Sequence, residues 1–263
     1  MECARDLAGC DPATTAGGCD TASMNEHLDW QECADEYEAS RQRITDLVSE
    51  LDDVQLATTV PACPDWSVWD ACAHCAAIPA SILVGDVPGH DDGDAWVTRT
   101  IADRAGRSIG EVLDEWAEVA PAFEAQMVER GGQLAGMVLD VVAHEHDIRH
   151  AVGRPGARDT AGIVQSLGFT KLIMDRDLAA GAPGTVVRFA CDDGTWQAGG
   201  SADAEPTITL DLSGRLDGTF ELVRALGSRR SEDQLDTLPW STDWRPHRAG
   251  IFHMPLPEAP LDE

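Results

Sequence analysis

The chain has 263 residues, 43% of them hydrophobic, and a formal net charge of −28 with a pI of about 4.4. That length and apolar content suit one large domain or two modest ones with a packed core. Charge of this sign and size repels phosphate backbones and anionic lipid, so neither nucleic acid nor a membrane is expected as a partner.

The opening residues, Met1-Glu2-Cys3-Ala4-Arg5-Asp6, have no basic region followed by an apolar one. No run approaches the ~18 apolar residues that a membrane span needs. The eight cysteines form no secreted framework, so a cytoplasmic protein with reduced thiols is expected.

Residues 1–23 are rich in Gly, Ala, Thr and Asp and show no period, which reads as a disordered extension; the patterned chain opens at Met24. Over 28–51, Tyr37, Ile44, Leu47 and Leu51 recur at helical spacing. Val60-Pro61-Ala62-Cys63-Pro64-Asp65-Trp66-Ser67 is a proline-punctuated loop. Ser67, with Asp70 three residues on, forms the start of a helix that turns Val68, Ala71, Cys72, Cys75 and Ile78 inward, with His74 among them. An acidic loop over 85–94 leads to a short helix over 96–105. Ser108 then caps a helix over 109–128, which Gly131-Gly132 ends. A further helix over 134–152 is closed by Gly153-Arg154-Pro155-Gly156. Four main helices joined by loops predict a bundle.

The texture then changes. A helix over 163–178 is followed by strands over 185–191, 195–198 and 207–212, with Asp192-Asp193-Gly194 as a hairpin turn. A helix spans 218–226, and the tail from Pro239 is mostly irregular. The expected fold class is α+β, with a four-helix bundle over 24–155 and a smaller α+β domain over 156–263.

Chemistry concentrates in Asp140–Arg149 and the adjoining His150, where three acids and three histidines interrupt an apolar helix. At about 100° per residue, His144 lies about 40° from Asp140 and Asp147 about 20° to its other side. His146 and His150 form a rival pair pointing elsewhere. A carboxylate and an imidazole one turn apart can hold one metal ion, although such pairs also serve as ion pairs. His74 joins them only if facing helices project into one site. Two histidines and a carboxylate leave metal positions open, as catalytic zinc does. Asp147 either orients a ligand histidine or pairs with Arg149 or Arg154. Glu145 and His146 are expected on the outer face. Cys72-Ala73-His74-Cys75 has redox or zinc spacing, but a helix turns both cysteines toward the core, where they act as small hydrophobes.

Val60 through Val68, followed by Asp70 and His74, resembles the "VPxCPGWxVxDLxAHL" signature of the mycothiol-dependent maleylpyruvate isomerase family. Asp140–Arg149 is similar to that family's "ElvvHewDi" helix, and Ala151-Val152-Gly153-Arg154-Pro155 to the "ALGRP" that follows. Leu226-Gly227-Ser228-Arg229-Arg230-Ser231 with Trp240 resembles "LxGRRS…W". The resemblance implies a DinB-like metal-binding four-helix bundle, with His74, Asp140 and His144 as ligands of a divalent metal, zinc preferred. It also implies mycothiol as thiol cosubstrate, and Arg229 or Arg230 at a carboxylate of a small-molecule substrate, which a guanidinium fork suits. The implied reaction is cis–trans isomerisation by thiolate addition, rotation and elimination; a monomer or weak homo-oligomer is expected. A mycothiol S-transferase acting on another electrophile, and a metal-binding protein without turnover, are the rival readings. Four residues depart from the pattern: Asp140 stands for Glu, Cys72 and Cys75 for leucines, Asp65 for Gly, and Ser228 for Gly.

Overall fold

The computed structural model describes residues 28–89, 92–134, 136–201 and 203–263. The expectations for residues 1–23 and Met24 lie outside these. The chain divides into two compact units between Gly156 and Ala157.

In the first unit, α1 (Trp30–Ser49) begins where the Asp29 carboxylate accepts hydrogen bonds from the backbone N–H groups of Gln31 and Glu32, satisfying donors that the helix start leaves free. A single turn, α2 (Asp53–Leu56), leads to strands β1 (Thr59–Val60) and β2 (Cys63–Ser67). Next come α3 (Val68–Leu83), α4 (Gly93–Ala102), α5 (Ile109–Arg130) and α6 (Gly136–Ala151). Helix α1 packs on α5 and α6, and α3 packs on the same two. The order α1–α5–α3–α6 closes a ring, which is a four-helix bundle. Ile44, Val48, Ile78, Val112, Phe123 and Val138 are fully buried within it, each such side chain contributing about 2 kcal/mol of transfer free energy. The Trp116 indole N–H donates to the Tyr37 hydroxyl at 3.0 Å, which gives a buried phenol its partner.

Two local starts match the pattern. In α3 the Ser67 hydroxyl accepts from Asp70 N, while the Asp70 carboxylate accepts from Ser67 N at 2.8 Å. In α5, Ser108 and Glu111 form the same box. One element differs from expectation: the proline-punctuated stretch is not a loop but a two-stranded antiparallel ribbon, pairing Thr59 with Ser67 and Val60 with Cys63. Its register shifts between Thr59 and Val60, and neither Pro61 nor Pro64 is among the paired residues. Prolines at the edge of so short a ribbon hide the strand from pattern reading.

The second unit holds α7 (Ala161–Gly181), a three-stranded sheet and short helices. Strand β3 (Val187–Cys191) is central, antiparallel to β4 (Gly194–Ala198) and parallel to β5 (Ile208–Asp211). Helix α7 covers β4, and α8 (Gly218–Leu226) covers β3. Phe189 stacks on Trp196 at 5.9 Å. The tail from Pro239 is mostly irregular, as expected. Helix α9 (Glu232–Leu235) precedes it, α10 (Arg248–Ile251) lies within it, and Trp244 packs against Phe252 at 5.4 Å. Among the described residues, no helix is long and apolar enough to cross a membrane.

Candidate metal centre

Helices α3 and α6 face each other inside the bundle. Helix α3 contributes His74, while Asp140 and His144 lie one turn apart on α6. Asp140 Oδ1 is 3.4 Å from His74 Nε2 and 3.6 Å from His144 Nε2. One donor atom from each residue lies within 4.8 Å of the others. The two imidazoles are buried, and their ring centroids are 4.9 Å apart. The side chain of Asp140 keeps 13% exposure, against 1% for His74 and 2% for His144. His74 Nδ1 is buried and has no hydrogen-bond partner among the described residues.

Burial works to raise the pKa of Asp140, but the His74 and His144 imidazoles outweigh it and hold the carboxyl well below its usual range. For His144, burial works to lower the value, yet hydrogen bonds and charge from Asp140 and Asp147 raise it to about 10. Without a metal, a proton is held tightly where a cation would bind.

The other ring nitrogen of His144, Nδ1, lies 3.4 Å from Asp147 Oδ2. Asp147 is fully buried. Neither arginine proposed as its partner faces it: Arg149 pairs with Glu145 at 3.0 Å, and Arg154 with Glu50 at 2.6 Å. Cys63, on β2, forms a second group of three close donors with His144 and Asp147. Also on β2, Trp66 lies against both imidazoles. Cys63 and Trp66 carry no periodic signal, and only the ribbon's fold over the site brings them there.

Glu145 and His146 are not on an outer face. Glu145 is fully buried and His146 is 4% exposed. A wheel drawn for one helix assumes one core face, whereas α6 is covered by α3 on one flank and α1 on another. Glu145 accepts from Ser40 Oγ at 2.7 Å, Arg43 Nη2 at 2.9 Å and Arg149 Nε at 3.0 Å. Burial alone would raise its pKa, but hydrogen bonds from Arg43 and Ser40 lower it below the usual value.

Cys72 and Cys75 are buried free thiols. Burial pushes Cys72 up to about 12 and also raises Cys75, so both remain protonated small hydrophobes.

In the second unit, Arg230 is buried against two carboxylates, donating to Glu221 Oε1 at 2.9 Å and to Glu263 Oε2 at 3.3 Å. Arg224 pairs with the same Glu263. Arg229 donates to the Gly227 carbonyl at 3.2 Å. Ser228 has φ 58°, the left-handed region that glycine enters freely, so the residue standing for Gly here keeps the glycine backbone.

Residues 37–149 match the family described as the mycothiol maleylpyruvate isomerase N-terminal domain. No curated protein sequence matches the chain. Among solved structures, the crystal structure of a histidine-to-alanine mutant of the mycothiol-dependent maleylpyruvate isomerase is similar. Its TM-score is 0.53 at 11% identity, covering 81% of this chain and 93% of that one. At that identity the likeness speaks for the fold.

Proposed function

The N-terminal unit belongs to the mycothiol maleylpyruvate isomerase N-terminal domain family, and from that premise we propose that the protein is a zinc- and mycothiol-dependent isomerase of the maleylpyruvate type. The observation that supports this best is the convergence of two buried imidazoles and one carboxylate from facing helices. Two nitrogens and one oxygen, with His74 Nε2 and His144 Nε2 both turned to Asp140 Oδ1, suit a borderline-soft divalent ion and leave coordination positions open. Bound there, zinc supplies a Lewis-acidic position at which a thiol gives up its proton near neutral pH.

The chain's own residues do the rest. His74, Asp140 and His144 hold the ion, and Asp147 fixes the His144 ring by facing Nδ1. Asp140 is shorter by one methylene than the Glu usual in the family, so its carboxylate reaches less far from α6. Burial of both imidazoles keeps water from most of the site, and the partly exposed carboxylate marks the side from which ligands enter. Mycothiol thiolate adds to the cis double bond, the new single bond rotates, and elimination restores the thiol and leaves the trans isomer. Arg229 and Arg230 are the candidates for a substrate carboxylate. Arg230 already holds ion pairs with Glu221 and Glu263.

Incubating the zinc-loaded protein with maleylpyruvate, with and without mycothiol, tests this reading. Conversion to the trans isomer only when the thiol is present supports it. Failure to convert, with thiol consumed by another electrophile, moves the assignment to a mycothiol S-transferase.

A further inference from the structure

One aromatic side chain touches both imidazoles of the metal centre. The Trp66 ring lies 4.9 Å from the His74 ring and 5.6 Å from the His144 ring, tilted by 39° and 36°. The two histidines are nearly perpendicular to each other, at 73°. Tilted and edge-on contacts of this kind are the favoured aromatic arrangements.

The indole is held in place by the backbone on which it stands. Ser67, the next residue, pairs with Thr59 across the ribbon and is locked into the capping box of α3. Val68 N donates to the Thr58 carbonyl at 2.9 Å. Trp66 is partly exposed, whereas Trp116, which fills the core of the same unit, is wholly buried. Of the three ligand side chains, solvent reaches Asp140 most, and the indole lies against the other two.

We propose that Trp66 is a positioning residue of the metal centre. Its indole holds the His74 and His144 rings in one orientation and keeps water off their faces, so that ligands approach from the Asp140 side. Fixing two imidazoles before the ion arrives removes an ordering cost from binding. This inference rests on the reading of His74, Asp140 and His144 as metal ligands.

Titrating cobalt(II) into the metal-free whole chain tests it, with tryptophan emission and the visible cobalt bands read together. In the unmodified protein, one equivalent binds and quenches part of the emission. Trp66→Phe keeps a ring over the imidazoles; it binds cobalt with affinity within about threefold of the unmodified chain and lacks the quenched component. Trp66→Leu loses about tenfold in cobalt affinity and shifts the visible bands, with the far-ultraviolet circular dichroism unchanged. Undiminished quenching in Trp66→Phe overturns the inference, as do unaltered affinity and bands in Trp66→Leu. If the unmodified chain binds no cobalt at all, the metal-centre reading itself fails, and this one with it.

Discussion

Replacing Glu145 with alanine removes the carboxylate that ties α6 to α1. Four donor groups converge on it: the Ser40 hydroxyl, Arg43 Nε and Nη2, and Arg149 Nε, all at 2.7–3.0 Å. Removing one partner of a fully buried pair costs about 3–5 kcal/mol. Here the side chains of Arg43 and Arg149 keep 26% and 16% exposure, so water can partly resolvate them after the change. The expected loss is therefore about 2–3 kcal/mol, below that range. Urea denaturation at pH 7, with unchanged slope and a lower midpoint, reads this directly. The pH dependence supplies a second check. The folded-state pKa of Glu145 lies below the ordinary value of 4.5, so its stabilisation is present above that pH and is lost as pH falls through the depressed value. The gap between the two proteins should narrow in acid. Glu145→Gln, which still accepts one hydrogen bond but carries no charge, should fall between them. A Glu145→Ala protein within about 0.5 kcal/mol of the unmodified one would refute the argument, because surface acids behave that way.

Three further outcomes follow from the same geometry. Asp147→Asn should weaken zinc binding about 10- to 100-fold without changing the stoichiometry, as chelator competition would read, since the residue orients His144 but does not hold the ion. Because a proton occupies His144 up to about pH 10 in the metal-free protein, zinc uptake at pH 7 should release about one proton and affinity should rise with pH; calorimetry in buffers of different ionisation heat measures this, and no proton release would contradict it. Cys72 and Cys75 should resist alkylation at pH 8 in the folded protein and react only in denaturant, whereas fast labelling of either would revive a redox reading of their spacing.

Features fixed by chemistry within a few residues were legible in the sequence. The Ser67–Asp70 and Ser108–Glu111 boxes set two helix starts, and Gly153, at φ 64°, follows the end of α6. Asp140 and His144 could be paired from spacing alone, because four residues are about one turn. His74 could not, since its place opposite α6 is a property of the closed ring of helices. Glu145 was misplaced for a related reason: burial from two flanks leaves no single apolar stripe to read. The ribbon that carries Cys63 and Trp66 was hidden by prolines. Nor does any sequence pattern announce that Arg230 meets Glu221 and Glu263, because those contacts are made by tertiary packing.

The central claim is that His74, Asp140 and His144 together hold one metal ion. Equilibrium dialysis of the metal-free protein against zinc, followed by elemental analysis, tests it most directly. The account predicts one zinc per chain in the unmodified protein, retained in Asp140→Glu and lost in His144→Ala and His74→Ala. Zinc at wild-type stoichiometry in both histidine variants, or none in the unmodified protein, would contradict it.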